Sequence, residues 1–155
     1  MSSRARRGGF TLVELVMTLA IMAIALGVCA IRLSRSSVSM AEGERVARTL
    51  VADLRMAHSQ AITTRKNHYV LFTDGGASYT SYALYRVEGG GDVQIEPARP
   101  LPDTVAVTGS STRAEFTPTG DAVAACTYLV TCPGWRYTID VTLATGAVAI
   151  DKQAD

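Results

Sequence analysis

Hydrophobic and polar positions divide the chain into three textures. Residues 10–31 are almost continuously apolar and hold one carboxylate, Glu14. At roughly 1.5 Å per helical residue this run spans about 33 Å, enough for a hydrocarbon core of about 30 Å. It contains no proline, and Gly27 alone could loosen it. Further on, Val46, Leu50, Leu54, Ala57 and Ala61 recur at spacings of 4, 4, 3 and 4. That rhythm draws one apolar face along an amphipathic helix, with Glu42, Glu44, Arg45, Arg48, Asp53 and Arg55 as polar neighbours. The polar stretch at 34–39 reads as a loosened joint. The helix is expected to end near Thr64, before Arg65-Lys66-Asn67.

The third texture is short strands and turns. Strand-like segments fall at 68–73, 79–87, 93–96, 105–107, 113–116, 127–131, 136–143 and 147–150. Asp74-Gly75-Gly76, Thr117-Pro118-Thr119-Gly120-Asp121, Cys132-Pro133-Gly134-Trp135 and Ala144-Thr145-Gly146 read as turns. Glu88-Gly89-Gly90-Gly91-Asp92 reads as a flexible loop, and Pro97, Pro100 and Pro102 should break regular structure. A long N-terminal helix followed only by strands predicts an α+β fold, with an antiparallel sheet packed on the helix.

Charge adds an orientation. The chain has 155 residues and a net charge of +1, but three of its fifteen basic residues, Arg4, Arg6 and Arg7, precede the apolar run. They predict an N-terminus held on the cytoplasmic side of a membrane. Arg32 and Arg35 on the far side weaken that asymmetry without reversing it. Twelve basic side chains then remain against fourteen acidic ones, a net of −2. This makes no general electrostatic case for nucleic-acid binding. A carboxylate inside a spanning segment costs about 3 kcal/mol near its centre and less towards its end, so Glu14 calls for a partner.

Gly9-Phe10-Thr11-Leu12-Val13-Glu14, preceded by a short basic leader and followed by an apolar helix, resembles the class III signal of type IV pilins and type II secretion pseudopilins. The resemblance implies cleavage by a prepilin peptidase between Gly9 and Phe10, followed by methylation of the new amine on Phe10. It makes residues 1–9 a leader, 10–31 a transmembrane helix, 32–64 its amphipathic continuation and 65–155 a periplasmic β-rich domain. The protein would sit in the bacterial inner membrane with a single pass. After cleavage Phe10 carries a cation near the positive end of a helix, about one turn from Glu14. Glu14 then pairs with its own amine, pairs with a neighbouring subunit's amine and so sets axial register, or snorkels to the interface.

Within that superfamily the body is similar to the GspH/FimT group, in AHSQAITTRKNHYVLF, in EFTPTGDA and in LATGAVAI. The resemblance implies a pilin-like fold and a minor pseudopilin in a type II secretion system, joined to other pseudopilins through the N-terminal helix. Its alternative is a FimT/FimU-type minor pilin in type IV pilus assembly or DNA uptake. Some FimT-like pilins bind DNA through Gly-Arg-x-Arg. The matching stretch here is Gly146-Ala147-Val148-Ala149, without either arginine, which argues against DNA as a partner.

The search for chemistry is short. No GxSxG, HExxH or P-loop pattern occurs, so no enzyme activity and no cofactor are expected. His58 and His68 lack carboxylate or cysteine companions at ligand spacing, and no metal is expected. Cys126 and Cys132 leave two options open. As the ends of an extended strand they lie about 20 Å apart, whereas a disulfide needs Cα atoms within about 7 Å. Either the segment is a loop stapled by the bond, or both thiols are free and packed.

Overall fold

The structure is a computed structural model that describes residues 12–154, with the side chains at 27–38 excepted. It forms two units, Met1–Ser37 and Val38–Asp155.

Helix α1 spans Leu12–Thr64. Its backbone stays helical through 34–39, where a loosened joint is predicted; serine costs a helix only about 0.5 kcal/mol per residue, and the stretch holds neither glycine nor proline. In the first unit, ten large apolar side chains from Leu12 to Leu26 are 55–78% exposed. An apolar surface of that kind calls for cover by lipid or by other helices. Among the described residues no helix is long and apolar enough to cross a membrane, and the expected span at 10–31 runs past the described side chains at both ends.

In the second unit, the described residues after α1 form nine strands. These are β1 (His68–Asp74), β2 (Tyr79–Arg86), β3 (Val93–Gln94), β4 (Arg99–Pro100), β5 (Ala106–Gly109), β6 (Arg113–Phe116), β7 (Cys126–Cys132), β8 (Trp135–Val141) and β9 (Val148–Ala154). They make a five-stranded sheet, β3-β2-β1-β6 with β4 also on β2, and a four-stranded sheet, β5-β7-β8-β9. All pairings are antiparallel.

The predicted face of α1 is the core's spine: Val46, Leu50, Leu54, Ala57 and Ala61 are all buried. They join Val70, Leu84 and Phe116 of the first sheet and Val107, Val130 and Ile139 of the second in one cluster. Phe72 links the sheets, its ring centroid 4.5 Å from that of Tyr128 and 5.7 Å from that of Tyr82. The helix stops because Arg65 turns into the left-handed region, φ 55°, a C-terminal capping geometry.

Most strand ends shift by one to four residues from the sequence expectation, and two differences have a clear physical reason. Pro100 lies within a short strand, pairing with Ser81 at a sheet margin, where a missing N–H costs no interior ladder bond. Strand β9 continues to Ala154, past the expected end at 150. Asp151, Lys152 and Gln153 are exposed and show no hydrophobic alternation; backbone pairing with β8 extends the strand through them, and Lys152 is also held by Glu44 and the Trp135 ring.

Gly43 marks a close approach of α1 to β7. A Cβ there would lie 2.5 Å from Cys132 Sγ and 2.7 Å from its Cβ. Helix propensity favours Gly43→Ala by about 1 kcal/mol, whereas overpacking costs about 1–3 kcal/mol. The overpacking should win, so urea denaturation should find the variant less stable than the parent; a gain in stability would contradict this packing.

Candidate functional site

Glu14 lies in the first turn of α1 and its side chain is exposed. The expected cleavage and methylation positions, Gly9 and Phe10, lie outside the described residues, as do the leader and the side chain of Cys29.

The cysteine pair is decided by β7. The strand is extended, and its inward positions are Cys126, Tyr128, Val130 and Cys132. Both cysteines are buried at opposite ends of the strand and are not bonded to each other. The option of a disulfide between Cys126 and Cys132 is thereby corrected, because six strand steps cover about 20 Å against the roughly 7 Å that a bond allows. Cys132 Sγ instead lies 3.5 Å from the Trp135 carbonyl oxygen across the hairpin.

The two histidines are not brought together. His58 Nε2 donates to the Gly120 carbonyl oxygen at 2.9 Å, and its ring meets Phe116 edge-on at 5.5 Å. His68 is buried on β1, and its Nδ1 donates to the Lys66 carbonyl oxygen at 2.9 Å. In each case a carbonyl can only accept, so the proton is on the histidine nitrogen. Among the described residues no group of three His, Cys, Asp or Glu side chains could hold a metal ion.

His58 also shapes the turn before β9. Gly146 has φ 59°, and a Cβ there would meet the His58 ring at 2.7 Å. Glycine is therefore required on two grounds. Ala147 and Ala149 are exposed and Val148 is buried. The outward positions that would carry arginines in the DNA-binding pattern thus present only methyl groups.

A buried polar seam joins α1 to the first sheet. Tyr82 donates its hydroxyl to Asp53 Oδ2 at 2.7 Å, and Arg99 Nε lies 3.5 Å from the same oxygen. Arg99 Nη2 also reaches Glu96 Oε2 at 3.0 Å. Burial, and then the Asp53 carboxylate, hold the Tyr82 phenol well above its ordinary pKa. Asp53 was expected among the polar neighbours of the helix, yet it is buried. The signal was its place three residues after Leu50 and four before Ala57, inside the apolar face.

On the other face of that sheet, Tyr69 stacks on Tyr85 at 5.2 Å, with the Arg113 guanidinium 3.7 Å over its ring. Its hydroxyl donates to Asp92 Oδ2 at 2.7 Å. Burial and then Asp92 push its pKa up to about 12.

A helix laid against antiparallel sheets, with polar ties between them, is a pilin-like α+β fold. The prokaryotic N-terminal methylation motif matches residues 4–30, and the family described as type II transport protein GspH matches residues 46–146. The chain belongs to that GspH family, within the type IV pilin and type II secretion pseudopilin superfamily. It is similar in fold to the type IV minor pilin FimU of Pseudomonas aeruginosa, with a TM-score of 0.62 and 15% identity over 75% of this chain and 94% of that one. It is also similar to the minor pseudopilin EpsH from the type 2 secretion system of Vibrio cholerae, with a TM-score of 0.61 and 10% identity over 71% and 96%. No curated protein matches the sequence.

Two predictions follow from the polar ties. Tyr82→Phe leaves a buried carboxylate short of a donor and should cost about 1.5–3 kcal/mol in denaturant unfolding. For Tyr69 the sign is set by a folded pKa near 12 against about 10 unfolded. Its contribution is complete below pH 10 and is lost as pH rises towards 12. Tyr69→Phe should therefore flatten the fall of stability between pH 10 and 12 by up to one proton's worth, measured by urea unfolding across that range.

Proposed function

We propose that this protein is a minor pseudopilin of a type II secretion system. The observation that carries the reading is one chain in which the methylation motif at residues 4–30 precedes a GspH match at 46–146. The chemistry follows from the N-terminus. A prepilin peptidase cuts after Gly9, Phe10 is methylated, and the cationic end of one subunit pairs with Glu14 of a neighbour to set register. The apolar surface from Leu12 to Leu26 supplies the contact, first with the inner membrane and then with neighbouring helices. The body lies in the periplasm and works as a structural subunit, not an enzyme. The likeness to FimU speaks for the fold alone, so the pilus reading rests on no separate observation.

N-terminal sequencing of protein from cells with and without the peptidase tests processing: a start at Phe10 only when the peptidase is present is expected, and an unprocessed start in both would sink the assignment. Glu14→Ala should still be cleaved but should assemble poorly, scored by crosslinking to other subunits. Deleting the gene should block exoprotein secretion; loss of pili with secretion intact would point to the pilus machine instead.

A further inference from the structure

Between α1 and β9, inside the Val38–Asp155 unit, lies an open groove of about 420 Å³. Arg48, Arg55 and Lys152 line it against a single carboxylate, Glu44, while Val51 and Ile150 provide an apolar floor. Glu44 is shared, 2.7 Å from Arg48 Nη2 and 3.6 Å from Lys152 Nζ. Three cations on one carboxylate leave a local excess of positive charge on a body whose overall balance is negative. The cations are held in place. Lys152 Nζ lies 4.2 Å over the Trp135 ring, and Arg55 Nη2 donates to the Val148 carbonyl oxygen at 2.9 Å.

The groove runs beside a sheet edge. β9 pairs with β8, and among the described residues no strand pairs with its other side. From Ala149 onward its residues are exposed. Arg55 occupies the Val148 carbonyl oxygen, and the edge from Ala149 to Ala154 is a ready template for another strand. Side chains of a strand alternate between faces. One added beside β9 would send every second side chain towards α1, into the groove, where carboxylates meet the three cations and a small apolar residue meets Val51 and Ile150.

We propose that this groove and the β9 edge together receive an extended acidic segment of a neighbouring subunit by strand addition. That the segment comes from a subunit rests on the assembly reading above; the chemistry of the groove does not. The two fail separately, because peptide binding is measured whether or not the chain is processed at Gly9.

The test is fluorescence anisotropy on the full chain in detergent, with a labelled peptide of alternating valine and glutamate. Saturable, salt-sensitive binding is expected, weakened roughly tenfold or more by Arg48→Glu with Lys152→Glu. Those side chains are 77% and 43% exposed, so the variant keeps its core. Glu44→Gln removes the competing carboxylate and should tighten binding severalfold. A peptide methylated at its backbone nitrogens should not bind. The proposal is overturned if a valine–lysine peptide binds equally well, if the methylated peptide binds unchanged, or if neither variant moves the affinity. Sedimentation showing that copies of this chain self-associate, with Arg48→Glu abolishing it, would overturn the heterologous partner in favour of a second copy.

Discussion

The body of this protein depends on burying one stripe of α1. Val46, Leu50, Leu54, Ala57 and Ala61 form the surface on which both sheets close. A side chain such as Leu54, fully buried, contributes about 2 kcal/mol by leaving water. Gly43 permits the backbone approach that lets β7 reach the stripe's beginning, and the bond from His58 to the Gly120 carbonyl ties its far end to the loop after β6. Strand order, aromatic packing and the turn at Gly146 are arranged around that contact.

Polar groups at this contact act as locators. Asp53 could not be buried alone, since an unpaired carboxylate in the core costs several kcal/mol. Tyr82 and Arg99 make its burial tolerable and, in doing so, fix where β2 and β4 lie along the helix. Glu14 poses the same problem in the apolar N-terminal segment. In the proposed assembly its partner is the amine of a neighbouring subunit. Asp53 thus turns a desolvation cost into positional information within the chain, and the proposed assembly gives Glu14 the same task between chains.

The two surfaces available to partners have different chemistry. The N-terminal helix offers apolar area without direction, suited to sliding and repacking among similar helices. The α1–β9 groove offers placed charges and an open backbone edge, which demand a particular register and sign. In the proposed assembly the first would supply adhesion and the second selectivity.

Periodicity alone was enough to read the stripe on α1, the helix end at Thr64, the span of β6 and most of β1, β2, β7 and β8. Such elements follow from local rules: helical spacing, strand alternation and glycine or proline at turns. The resemblance carried by Gly9, Phe10 and Glu14 is a linear motif, and the methylation-motif match at residues 4–30 agrees with the family it implied; the roles of those residues belong to the proposal. Other features depended on partners remote along the chain. Asp53 read as a polar neighbour of the apolar face, and its burial rests on donors that Tyr82 and Arg99 bring from strands that follow it. Cys126 and Cys132 stayed undecided between bond and strand until pairing with β8 made β7 extended and set the thiols at its two ends. The last residues of β9 have no hydrophobic pattern at all and become a strand only because β8 presents a ladder to pair with. Local preference is written in neighbouring residues, whereas satisfaction of a buried charge or an unpaired backbone depends on which distant segment the fold brings alongside.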